Sequence, residues 1–270
     1  MSDAAYEYTT AEQLLEPNTR YPRGIKLHEL AFSPSEWGRL DPRVLTEEML
    51  LRTNEEGDTV AHRLAWHVSL FNELPPRLIT PRVLMARDRR QNTVLHILTR
   101  EYGDAEVYLA NNSRHPDHVS PLLTVELLLA ANRDGDTVLH FLASKGLFNK
   151  KVKSLLTPEM LMTRNRHHGT VIACAAENGG KGLRAVARLL TREMLTEGCY
   201  TGSVFVMAVR TRILHLIQPS VFRPGWLNKK FRGRKLLRIL IEDYPKQTSK
   251  HLMQFEPKAR TILITHLFSR

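Results

Sequence analysis

Three histidines recur along the chain inside nearly the same phrase: His62, His96 and His140. Imidazole is the side chain most used for proton transfer near neutral pH and for holding transition metals, so regularly spaced copies are the first place to look for chemistry. A single-metal site needs its ligands within about 4 Å of one another. Successive packed helices lie about 10 Å apart, so equivalent histidines on stacked helices serve separate, structural roles. His115-Pro116-Asp117-His118 offers two imidazoles and a carboxylate in a polar, proline-containing stretch. These are zinc-ligand types, yet no further Cys or His phrase completes a tetrahedral set. His167 and His168 fall in a turn and read as solvent contacts. Cys174 sits in the apolar run 172–176, where Cys is a small core residue; a nucleophilic Cys wants an electropositive, partly exposed setting. The chain has no Gly-x-Ser-x-Gly, no phosphate loop, no Gly-x-Gly-x-x-Gly and no His-Glu-x-x-His. The reading is therefore no catalytic residue, no metal site, no cofactor and no small-molecule substrate.

The elements that carry the histidines repeat. Gly57-Asp58-Thr59-Val60-Ala61-His62, Asn92-Thr93-Val94-Leu95-His96, Gly135-Asp136-Thr137-Val138-Leu139-His140 and Gly169-Thr170-Val171-Ile172 share one pattern. Thr59, Thr93, Thr137 and Thr170 are spaced by 34, 44 and 33 residues. Each Thr opens an apolar-periodic run, where its hydroxyl can cap the first helical turn. A second phrase precedes each one: Leu45-Thr46-Glu47-Glu48-Met49-Leu50, Ile79-Thr80-Pro81-Arg82-Val83-Leu84, Leu123-Thr124-Val125-Glu126-Leu127-Leu128 and Leu156-Thr157-Pro158-Glu159-Met160-Leu161. From its Thr to the capping Thr the step is 13 in every copy. A short helix of this kind cannot bury its own apolar face, so neighbouring copies must stack.

These phrases resemble the ankyrin repeat family, in a divergent, bacterial-type form. The Gly-x-Thr-x-Leu-His pattern, the Ala176-Glu177-Asn178-Gly179 helix end and the Leu-Leu pair before each connector carry the resemblance over roughly residues 24–270. Val stands where the family has Pro after the Thr, and the Leu-Thr-Pro-Glu-x-Leu connector replaces the Gly-Ala-Asp turn. An extra helical turn is expected in that connector. The resemblance implies an all-α, ankyrin-like solenoid of about seven units with incomplete end units. It implies that each His bonds its capping Thr and nearby backbone, and that the protein is a binding scaffold without catalysis.

The expected organisation is an N-terminal segment, 1–23, followed by a repeat domain, 24–270, with insertions near 111–121 and 217–235. Lys26–Ala31 reads as a degenerate opening unit, because His28 precedes His62 by 34. Removing residues before 20 is then expected to cost little stability. Asn72–Pro76 reads as a helix–helix connector. Gln218–Arg234 reads as a long basic loop, Lys235–Tyr244 as a second helix, and Thr261 as the cap of a final first helix.

Two basic clusters remain. Arg87, Arg89, Arg90, Arg133, Arg164, Arg166, His167 and His168 lie on connector tips, which repeat stacking would align along one edge. They form either a solvated charged face or a contact row for an acidic protein partner, whose carboxylates suit the planar guanidinium fork. Trp66 and Tyr102 are either aromatic anchors beside that row or side chains packed between units. The second cluster is Lys229, Lys230, Arg232, Arg234, Lys235 and Arg238, with Trp226 and Phe231 interleaved. Basic residues with aromatics suit nucleic acid through phosphate contact and base stacking, an anionic membrane surface, or solubility alone.

Composition sets the outer bounds. The formal net charge is +11, unevenly placed: residues 1–60 hold 6 Lys and Arg against 12 Asp and Glu, while residues 221–270 hold 12 against 3. Such asymmetry steers acidic partners. Apolar content of 42% is ordinary for a folded chain. No apolar run reaches the roughly 18–20 residues of a membrane span. The first residues lack a basic-then-apolar leader, and two cysteines, Cys174 and Cys199, suit a reducing compartment. The expected location is cytoplasmic, with delivery into another cell as an effector left open.

Overall fold

In a computed structural model the chain is mostly helical. The structure describes residues 6–18, 23–32, 34–101, 119–178, 180–199, 202–213, 216–217, 221, 224–228, 230–231, 234–243, 246, 249 and 257–268. Tyr102, the 115–118 phrase, Lys229 and Arg232 lie outside them. The chain divides into two bodies, Met1–Val138 and Leu139–Arg270.

The first body carries α1 (Ala11–Leu15), α2 (Lys26–Leu30), α3 (Pro34–Trp37), α4 (Glu47–Leu50), α5 (Val60–Trp66), α6 (Val68–Asn72), α7 (Pro81–Met85), α8 (Val94–Glu101) and α9 (Val125–Leu129). The second carries α10 (Val138–Lys145, whose first residue closes the first body), α11 (Lys150–Leu155), α12 (Pro158–Leu161), α13 (Val171–Glu177), α14 (Lys181–Val186), α15 (Arg192–Thr196), α16 (Val204–Arg210), α17 (Leu236–Asp243) and α18 (Pro257–Phe268). Three two-residue antiparallel pairs are the only strands among the described residues: β1–β2 (Pro17–Asn18 with Gly24–Ile25), β3–β4 (Gly198–Cys199 with Gly202–Ser203) and β5–β6 (Lys230–Phe231 with Arg234–Lys235).

The two sequence phrases become two kinds of capped helix. Thr46, Thr80, Thr124, Thr157 and Thr191 each accept from the backbone N–H three residues on, at 3.2–3.4 Å, and open the short helices α4, α7, α9, α12 and α15. The extra turn expected in the connector is thus a capped helix of four or five residues in every copy. Thr59, Thr93, Thr170 and Ser203 cap α5, α8, α13 and α16 in the same way. Such a side-chain cap is worth about 1 kcal/mol. In the first body α5 packs on α2, α6 and α8, and in the second α13 packs on α14 and α16. Their shared faces bury Leu27, Leu30, Leu64, Leu95, Ile172, Ala175, Phe205 and Ala208 almost completely.

Several elements differ from the sequence reading. Residues 8–18, from which little stability was expected, are built into the fold. Leu14 is fully buried, α1 packs on α2, and Lys26 N–H donates to the Glu16 carbonyl at 2.7 Å just beside the β1–β2 pair. Asp41 N–H also donates to the Tyr8 carbonyl at 3.0 Å. The second helix of the Thr59 unit, α6, starts only one residue after α5, so Asn72–Pro76 follows it rather than preceding it. The 217–235 stretch holds a 3-10 helix, Pro224–Asn228, and the β5–β6 pair instead of a plain loop. That pair runs straight into α17, just as β1–β2 feeds α2 and β3–β4 feeds α16. The helix read as a second helix therefore holds the place of a first one. Thr261 lies inside the twelve-residue α18 and caps nothing.

Candidate functional site

Before each Thr-capped first helix the chain makes a short finger, and the four fingers share one hydrogen-bond plan. Asn54, Asp88, Asn132 and Asn165 stand five residues before Thr59, Thr93, Thr137 and Thr170. Each donates its N–H to the carbonyl four residues on, at 2.9–3.0 Å. The Oδ1 of Asn54, Asn132 and Asn165 each accepts from two backbone N–H groups of the same turn, for example Asp134 and Asp136 onto Asn132 at 3.0 Å, or His167 and Gly169 onto Asn165 at 3.0 and 2.8 Å, while Asp88 Oδ1 accepts from Asn92 N–H at 2.8 Å. This Asx turn fixes the tip. Sequence reasoning missed it, although an Asn or Asp five residues ahead of each Thr was the available signal.

The residue two before each Thr has φ between 61° and 79°: Gly57, Gln91, Gly135 and His168. The left-handed residue of the last finger is His168, not the Gly169 that the sequence phrase aligned with the others. Only two of the four positions hold glycine, and the other two are held by arginine. Arg87 donates from Nη1 to the carbonyls of Gln91, at 2.9 Å, and Ala131, at 2.7 Å. Arg164 donates from Nη1 to the His168 carbonyl and from Nη2 to both carboxylate oxygens of Glu197, all at 2.9 Å. Arg89 donates to the Glu55 carbonyl, its stem lying across Gly57. Three of the tip arginines are therefore engaged with the protein's own chain.

Arg90, Arg133, Arg166, His167 and His168 are exposed. In the first body two successive tips touch directly, Arg133 N–H donating to the Arg90 carbonyl at 2.8 Å. In the second body Arg166, His167 and His168 form one tip. Trp66 is half-buried at the end of α5. Of the C-terminal cluster, Lys230 and Lys235 are exposed and pair across β5–β6; Arg234 lies in β6, and exposed Arg238 donates from Nε to Glu242 at 2.8 Å.

The histidines tie each helix to the following finger. His62 Nδ1 accepts from the Thr59 hydroxyl at 2.7 Å and from Thr59 N–H at 3.3 Å, so Nε2 carries the proton and donates to the Asn92 carbonyl at 3.1 Å. His96 repeats this with Thr93 and the Asp136 carbonyl, at 2.7 and 3.0 Å. His140 Nε2 donates to the Gly169 carbonyl at 3.3 Å, and His28 accepts from Ile25 N–H while donating to the Asp58 carbonyl at 3.3 Å. In each case the acceptor is the residue just before the next Thr. Both nitrogens of His28, His62 and His96 are engaged, which leaves no lone pair for a metal. Among the described residues no group of three His, Cys, Asp or Glu side chains could hold a metal ion. Neither Cys174 nor Cys199 is in a disulfide.

Burial favours the neutral form of the His28, His62 and His96 imidazoles. It lowers His28 and His62 below the usual value and brings His96 down to about 4, against the opposing pull of the carbonyl each one donates to. The unfolded chain takes up protons on these groups below about pH 6.5, whereas native His96 stays neutral down to about 4. Stability contributed by the neutral ring is present above pH 6.5 and lost as pH falls toward 4. For His96 alone, going from pH 7 to pH 5 is expected to cost about 2 kcal/mol. Asp58, pushed up by burial, works in the opposite sense. Urea midpoints at the two pH values measure this, and His96→Gln should shrink the difference. Equal midpoints for the parent protein would refute it.

No family model matches the sequence, and no curated protein is detectably similar to it. No helix among the described residues is long and apolar enough to cross a membrane.

Proposed function

We propose that this chain is a divergent ankyrin-like repeat solenoid that acts without catalysis, binding an acidic protein partner through its finger tips. The observation that carries the reading is the fourfold recurrence of one bond, from a buried helix imidazole to the carbonyl preceding the next Thr. A bond repeated in this register supports units that stack in sequence order, as repeat proteins do. Binding as the role is an inference from that architecture. Arg90 and Arg133 support the charge of the partner. They are exposed, adjacent through Arg133 N–H, and carry forks suited to carboxylates. Trp66 stands as a candidate aromatic anchor.

The test is affinity capture with and without nuclease, at about 0.1 and 0.5 M salt, between which the Debye length drops by more than half. The expected result is a defined protein that stays bound after nuclease and whose capture falls about tenfold in Arg90→Glu/Arg133→Glu. Lys230→Glu/Lys235→Glu should capture it normally. Capture that vanishes with nuclease and with the Lys230 and Lys235 reversal would replace this reading with nucleic-acid binding through the C-terminal cluster.

A further inference from the structure

A cleft of about 360 Å³ opens in the second body between the end of α11 and the end of α14. Leu156, Leu189 and Leu216 supply apolar lining, with Leu156 buried and the other two half-buried. Lys153, Arg184 and Arg188 line it as well, and all three are exposed. None of these three cations has an ion-pair partner among the described residues. Some cations elsewhere are paired: Arg164 with Glu197, Arg238 with Glu242, Arg63 with Asp58 and Lys26 with Glu29.

Arg184 lies in the last turn of α14 and Arg188 in the 3-10 turn Ala187–Leu189 that follows it, so both stand at one end of the cleft. Helix α11 has three lysines and no acid, and Lys150 and Lys151 occupy its first turn, the end that favours negative charge. The helix ends favour Lys153 and Arg184, which sit in last turns, but leave three cations grouped around an apolar floor with no acid among the described residues to offset them. A ligand that brings carboxylates would offset them.

We infer that this cleft docks an acidic peptide segment carrying one bulky apolar side chain, leucine or phenylalanine, flanked by carboxylates. The apolar side chain lies on Leu156, Leu189 and Leu216. The guanidinium forks of Arg184 and Arg188 take carboxylates two oxygens at a time, and Lys153 adds a point charge from the facing helix. The volume sits at the low end of ligand pockets, about 300–1,000 Å³, which suits a single anchoring side chain. Among the described residues no aromatic side chain lines the cleft, which gives bases no stacking platform there. The inference is independent of the finger tips, since none of their residues lines the cleft.

A displayed random-peptide library selected on the full chain tests this, with affinities of the enriched sequences read by fluorescence anisotropy. The enriched peptides are expected to share carboxylates on both sides of a Leu or Phe. Their affinity should fall at least about tenfold in Arg184→Glu/Arg188→Glu, and by a similar factor when the Leu or Phe of the peptide becomes Ser. Lys153→Glu, on the other helix, should weaken binding in the same direction, and Arg166→Glu should not. All the altered side chains are exposed, and circular dichroism confirms that each variant is folded. Three results would overturn the inference: enriched peptides without acidic residues, affinity unchanged by the reversals, or binding to phosphatidylserine vesicles or single-stranded RNA with no peptide enriched.

Discussion

Leu139→Asp is expected to unfold the protein. Leu139 is 0% exposed on the second residue of α10, and Leu142, one turn further on, is 1% exposed. Truncating such a leucine alone costs about 2–5 kcal/mol. An ionised carboxylate in its place adds several kcal/mol more, or forces the group to take up a proton. The sum is comparable with the whole stability of a typical domain, about 5–15 kcal/mol. Far-ultraviolet circular dichroism and a urea melt read the result directly. Ser144→Asp, on the exposed face of the same helix, is the control and should change stability by no more than about 0.5 kcal/mol. If Leu139→Asp kept native helicity and midpoint, the buried face assigned to α10 would be wrong.

Deleting residues 1–18 is expected to cost about 4 kcal/mol or more, from the lost burial of Leu14 and the uncovering of the part of α2 on which α1 packs. The deletion also removes the partners of Lys26, Ile25 and Gly24 in the β1–β2 turn, and the Tyr8 carbonyl that Asp41 donates to. A lower urea midpoint, with exposed apolar surface reported by dye binding, is the expected outcome. A midpoint within about 0.5 kcal/mol of the parent would mean that residues 8–18 sit on the fold without supporting it.

This second expectation reverses what the sequence suggested, for a physical reason. The first twenty residues are acidic and polar, and a single buried leucine among them leaves no periodicity to detect. Where a phrase recurred, spacing located the first-helix caps at Thr59, Thr93 and Thr170 and the extra turn in the connector, although the same step of 13 misplaced Thr261. The Asx turns were not, because Asn54, Asp88, Asn132 and Asn165 sit among other polar residues, where composition gives no contrast. The tip arginines were legible as a charged edge, but not as two classes. Which guanidinium reaches a carbonyl and which faces solvent depends on finger geometry. The Lys153, Arg184 and Arg188 cleft was hidden because its residues come from two helices about thirty positions apart. The one trace it left in the sequence is the run of lysines in α11.

The arginines at 87 and 164 have a consequence for how such proteins can be recombined or idealised. Fingers come in two self-consistent kinds. Those with glycine two before the Thr, at 57 and 135, carry Thr53 and Ala131 six before it. Those with Gln91 or His168 there carry Arg87 or Arg164, which holds that residue's carbonyl in place. The two positions therefore travel together. A consensus built by choosing the commonest residue at each position separately pairs Gly with Arg, a combination that occurs in none of these four fingers. Such a finger would keep the tether and lose the residue it evolved beside. Swapping whole fingers preserves the link, and averaging them breaks it.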